Sequence, residues 1–136
     1  IKYTCREEQL HAMVGIKLVQ TLRQEYPELF DVELETRILH EAKMAYEAES
    51  KIVDWMLGEY NESDLNAPLL KDYIKHRLNV SLVDIGYKAI YEVPVESIQK
   101  TNWLDEMTVG KVKTDFFHAK PTDYSMRKIT EEEIFN

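Results

Sequence analysis

The sequence predicts an all-α chain, and three observations carry the prediction. Apolar residues recur at spacings of three and four over long stretches. Gly and Pro number only four each among 136 residues, and runs of β-branched residues are short. Hydrophobic residues make up 44% and charged residues 31%, within the range of chains that fold. The length suits one domain or a large part of one.

The first helix is predicted from the chain start to about Gln24, where Tyr26-Pro27 ends it, because proline disfavours helix in the residue before it. Leu10, Val14, Leu18 and Leu22 supply the apolar spacing. Glu8, His11, Gly15, Leu18 and Leu22 form a neighbouring stripe, so ligand-type and core-type residues share a face. A second helix is expected from an Asp31 N-cap to a Gly58 C-cap. Leu34, Ile38, Ala45, Ile52 and Met56 are its expected buried side, with Glu47 and Lys51 as an i,i+4 pair. Asn66 caps the third helix and Pro68 sits in its first turn; Leu70, Ile74, Leu78 and Leu82 carry it to Gly86. From Ile90 the character changes. A short helical turn is expected over Val95 to Asn102, docked by Trp103. Residues 1–109 are therefore read as the helical part and 110–136 as a flexible tail. The opening Ile1-Lys2-Tyr3-Thr4-Cys5, without Met and inside a predicted helix, reads as part of a longer protein.

The formal net charge of −8 is spread along the chain. Nucleic acid is not an expected partner, since phosphate binding needs clustered Lys and Arg. No apolar stretch is long enough for a membrane span. The single cysteine, Cys5, excludes an internal disulfide and suits a reducing cytoplasm.

Glu8-Gln9-Leu10-His11 is a Glu-x-x-His motif on a helix. Residues three apart lie about one-sixth of a turn from each other, so both side chains project the same way. A carboxylate with an imidazole suits iron or manganese, and also zinc. Such motifs recur in ferritin-like di-iron and di-manganese proteins. His40 has no obvious second ligand, His76 is expected on a solvated face beside Lys75 and Arg77, and His118 falls in the expected tail. Trp55 and Trp103 are read as packing residues.

Arg6-Glu7-Glu8-Gln9-Leu10-His11 resembles the Arg-Asp/Glu-Glu-x-x-His signature of the radical-generating small subunit of class I ribonucleotide reductases. The resemblance continues through Lys51-Ile52-Val53-Asp54-Trp55, Leu65-Asn66-Ala67 and Tyr73-Ile74-Lys75-His76-Arg77. It then takes in Thr114-Asp115-Phe116-Phe117, Thr122-Asp123-Tyr124 and an acidic-aromatic terminus. Essentially the whole chain fits the family's C-terminal portion, in order.

The resemblance implies a ferritin-like helical bundle, of which these are the C-terminal helices. It implies that Glu8 is a carboxylate ligand, terminal or bridging, and that His11 ligates one metal of a dinuclear iron or manganese centre. Glu7 matches the family's usual Asp, which hydrogen-bonds a metal-bound His on the radical-transfer route; here the acid is one methylene longer. Tyr124 matches the tail tyrosine that relays an electron hole and a proton between subunits. Ile134 and Phe135, after three acids, match the anchor for the large catalytic subunit. The family's other ligands and its radical-bearing Tyr would lie upstream of Ile1. The expected partners are thus an N-terminal half, in the same or a separate chain, the large subunit and a second small subunit. Two further readings are another ferritin-like dimetal oxidase, and a metal-free helical adaptor that binds the large subunit. Replacing His11 separates the adaptor from a reductase component.

Overall fold

The computed structural model describes residues 2–109, with side chains from residue 8 to residue 106. Helix α1 runs Lys2–Glu25 and stops where Pro27 follows Tyr26, as the dipeptide predicts. A single 3₁₀ turn, Pro27–Leu29, follows. Asp31 then caps α2, Val32–Leu57, by accepting the Leu34 N–H at 2.8 Å. Glu33 and Glu35 in its first turn complement the helix dipole. Gly58 ends it at φ +53°, a backbone state that costs a residue with a Cβ.

The inward face of α2 matches the expected one at Leu34 and Ile38 and departs from it further along. Leu34, Ile38, Leu39, Ala42, Tyr46, Ser50, Val53 and Leu57 are buried or half-buried, a stripe at spacings of one, three and four. Ala45, Ile52 and Met56 are exposed. Two apolar stripes run along this helix, and α3 covers the one centred on Val53. Trp55 is 84% exposed, so it is not a packing residue among the described elements. The expected Glu47–Lys51 pair does not form; α2 is tied instead through Asp54, whose carboxylate meets Lys71 Nζ of α3 at 2.7 Å.

A short antiparallel hairpin follows, unheralded in the sequence, with β1 (Asn61–Glu62) paired to β2 (Leu65–Asn66). No non-glycine residue among those described has positive φ. The Ser63-Asp64 turn is therefore neither of the primed types that match strand twist, and the ladder stops after two residues. Asn66 closes the hairpin, donating from Nδ2 to the Glu62 carbonyl at 3.1 Å. Its Oδ1 accepts the Leu69 N–H at 2.9 Å and so caps α3, Ala67–Asp84.

α3 is the central element, packed on α2 along one side and on α4 (Val95–Val109) along another, while α1 packs on α4. Val53, Leu69, Leu82 and Tyr87 form the buried apolar core of the described residues, with the Thr101 hydroxyl donating to the Ser97 carbonyl at 2.8 Å. His76 is half-buried rather than solvated, because α3 has neighbours on two sides. α4 is longer than the expected turn and runs past Trp103, which is only partly covered.

The segment between α3 and α4 is irregular but pinned. Asn79 Oδ1 accepts the Ile90 and Tyr91 N–H groups at 2.9 and 3.0 Å, and its Nδ2 donates to the Tyr91 carbonyl at 2.8 Å. Ser97 Oγ donates to Asp72 at 2.8 Å, and Tyr73 OH donates to Asp105 at 2.8 Å, with Arg77 3.5 Å from the same carboxylate. The fold is all-α and ferritin-like in class.

Candidate metal centre

Glu8 and His11 stand on α1 one turn apart, and their side chains meet: Glu8 Oε2 lies 3.8 Å from His11 Nδ1. Two donors bonded to one cation at about 2.1 Å stand roughly 3–4 Å apart, so this spacing fits a shared metal ion. A hard oxygen with an imidazole nitrogen is also a donor set that iron and manganese accept. Both side chains are about three-quarters exposed, at 72% and 75%. Among the described residues no group of three His, Cys, Asp or Glu could hold a metal ion. The pair is therefore two donors with no third beside it among those residues.

The face that bears the pair is also uncovered. Residues 11–15 are all exposed, and Val14 and Leu18, expected in the core, are 69% and 58% exposed. A Cβ built on Gly15 would meet nothing. The half-buried residues of α1 are Gln9, Leu10, Ile16, Val19, Gln20, Thr21 and Arg23. Ligand-type residues and exposed apolar residues thus share one face of α1 among the described residues.

The C-terminal end of α1 is tightly held. Gln20 Nε2 donates to the Asp84 carbonyl at 2.7 Å. The Arg23 guanidinium lies over both the Phe30 and Tyr87 rings, 4.8 and 4.5 Å from their centroids, and donates to the Gly86 carbonyl at 3.4 Å. Neither Arg23 nor Asn79 was singled out by sequence. An Asn inside a predicted helix, where it competes poorly with Leu or Ala, was the available signal for Asn79.

Elsewhere, Tyr91 has its phenol pushed above the usual range, first by burial and then by the nearby Tyr46 and Glu47. The Tyr46 and Tyr91 rings are 5.1 Å apart and tilted. A cleft of about 310 Å³ between the hairpin and the starts of α3 and α4 contains Asp72 and Glu96. Their partners are Ser97 and Lys75, and Lys100. The exposed Glu96 carboxyl is held below its ordinary value by the Lys100 hydrogen bond, a surface pair of small energetic weight. His40 is exposed on α2 and enters no cluster of potential ligands among the described residues. The side chains of Cys5 and Glu7, and Tyr124, Ile134, Phe135, Phe116, Phe117 and His118, lie outside what is described. No described helix is long and apolar enough to cross a membrane.

Residues 1–104 match the family model of the ribonucleotide reductase small chain. The ribonucleoside-diphosphate reductase subunit beta of Aquifex aeolicus (strain VF5) is 36% identical over 89% of this chain and 17% of its own length. The subunit of the same name from Chlamydia pneumoniae is 30% identical over 90% of this chain and 34% of its own. That of Treponema pallidum (strain Nichols) is 27% identical over 92% and 36%. The chain thus spans about a third or less of the length of these relatives. With the ordered motifs, the helical fold and the Glu8/His11 pair all in agreement, the chain belongs to the ribonucleotide reductase small-chain family.

Proposed function

We propose that this chain is the C-terminal part of a ribonucleoside-diphosphate reductase small subunit and supplies one Glu-x-x-His arm of a dinuclear metal centre. The observation that carries the reading is the Glu8–His11 pair, 3.8 Å apart on an uncovered face of α1, in a member of this family. Glu8 and His11 would hold the metal, with the remaining donors coming from the part of the subunit that covers this face. When bound, an iron or manganese centre supplies the oxidant from which radical chemistry starts.

The chain's own residues then have separate tasks. Glu8 and His11 would lend charge and lone pairs to the cation, and covering them without it would leave them costly to bury. Glu7 accepts a hydrogen bond from a metal-bound histidine of the other part and keeps that ring oriented. Tyr124 passes an electron and a proton across the boundary with the large subunit, where ribonucleotides are reduced. Ile134 and Phe135 anchor the chain there; a short apolar end gives releasable binding. The assembly would be a homodimer of small subunits acting in the cytoplasm to supply deoxyribonucleotides for DNA replication.

The test is His11→Ala in the whole small subunit, assayed with the large subunit for nucleotide reduction and by EPR for radical yield. The reading expects both to fall by orders of magnitude with binding of the large subunit unchanged. Retained radical yield would reject it, and unchanged regulation of the large subunit by a metal-free protein would favour an adaptor.

A further inference from the structure

The Glu8/His11 pair lies toward the start of α1, a helix that packs on α4 and is bound at its other end to the end of α3 and the segment after it. Residues 11–15 of α1 are exposed, with Gln9 and Leu10 half-buried beside them, while Gln20 binds the last carbonyl of α3 and Arg23 the Gly86 carbonyl after it. From Arg23 to His11 the helix rises about 18 Å. A tilt of about 5° at Arg23 would therefore move His11 by roughly 1.6 Å, more than a metal site tolerates in a ligand's position.

Arg23 is shaped for this grip. Its guanidinium carbon lies over the ring of Phe30, just after the turn into α2, and over that of Tyr87, which is buried in the core. Its Nη1 reaches the Gly86 carbonyl, and its Nε is buried without a hydrogen-bond partner. A single side chain thus joins the end of α1, the α1–α2 connection and the α3–α4 connection. Gly86 makes the room: a Cβ there would lie 3.0 Å from Arg23 Nε, and its φ of +91° suits only glycine.

We propose that Arg23 is a positioning residue for the metal centre, its guanidinium clamp setting the direction of α1 and hence the place of Glu8 and His11. The proposal rests on the assignment of those two residues as metal ligands. Arg23 acts through the helix and touches no metal. Lysine keeps the charge but has neither the planar group that lies over two rings nor the fork that reaches a carbonyl.

The test uses the whole small subunit carrying Arg23→Lys, Arg23→Met or Gly86→Ala, with His11→Ala as control. Mn(II) alone is the probe, its affinity and spin coupling read by EPR and the fold by circular dichroism. Arg23→Met and Gly86→Ala are expected to bind Mn(II) about tenfold or more weakly, the usual cost of losing a residue that orients ligands. Their coupled spectrum should change, and Arg23→Lys should recover part of both. Lower melting temperatures with wild-type affinity and spectrum would overturn the proposal, since Arg23 would then only stabilise the fold. If Arg23→Met does not fold, Arg23→Lys and Gly86→Ala are judged by the same criterion. If only His11→Ala weakens binding, the positioning role falls and the ligand assignment stands; if His11→Ala also binds as wild type, both fall.

Discussion

Asn79→Ala should loosen the connection that delivers Tyr87 to the Arg23 clamp. The wild-type side chain makes three hydrogen bonds to the backbone of Ile90 and Tyr91, at 2.8 to 3.0 Å. Each is worth about 0.5–1.5 kcal/mol net, and half-buried N–H groups left without a partner add a desolvation cost. The sum is a loss of about 2–4 kcal/mol. Asn79→Asp offers a sharper comparison. It keeps the acceptor for both N–H groups but faces the Tyr91 carbonyl with a carboxylate instead of an amide donor, so about 1–2 kcal/mol should be lost. Equilibrium urea unfolding of the small subunit gives the stabilities, and hydrogen exchange at the Ile90 and Tyr91 amides reports the segment itself. Alanine within about 0.5 kcal/mol of wild type, or unchanged exchange at those amides, would refute the reasoning. So would aspartate costing more than alanine.

Two further outcomes follow from the same geometry. Asn66→Ala should cost more than Asp31→Ala, which loses a cap worth about 1 kcal/mol, because Asn66 also ties the hairpin to α3; equal unfolding midpoints would contradict this. Burial keeps the Tyr91 phenol protonated in the folded state above the usual value of 10.0. Between that value and the raised one the folded state holds more protons than the unfolded state, so stability present below pH 10 falls as pH rises. Tyr91→Phe should flatten this alkaline loss, measured as the urea midpoint from about pH 9 to 11, and cost little at neutral pH because the hydroxyl has no partner. An equally steep alkaline loss in the variant would exclude Tyr91 as its source.

The helix boundaries were legible because punctuation fixes them locally. Tyr26-Pro27, Asp31, Gly58 and Asn66 act through their own backbone or the next three residues, and each sits where its chemistry requires. The inward faces were less legible. α2 carries one apolar stripe through Val53 and another through Ala45, Ile52 and Met56, and periodicity cannot say which stripe a neighbour will cover. Val14 and Leu18 show the same limit on α1: they have core character, but the described residues put nothing over them. The Glu8/His11 pair was legible as a motif, and its geometry is local enough for one helix to set. Arg23 and Asn79 were not, because their partners are 63 and 11–12 residues away and only tertiary structure joins them. The hairpin was missed because its strands are two residues long, too short for any period to register.

The central claim is that this chain contributes Glu8 and His11 to a metal site that the rest of the subunit completes. Metal analysis of purified protein after reconstitution with iron or manganese tests it most directly, comparing these 136 residues with the whole subunit and with its His11→Ala and Glu8→Ala variants. The whole subunit should hold about two tightly bound metal ions, the variants markedly fewer, and these residues alone should bind only weakly. Full metal content in both variants, or stoichiometric two-metal binding by these residues alone, would contradict the account.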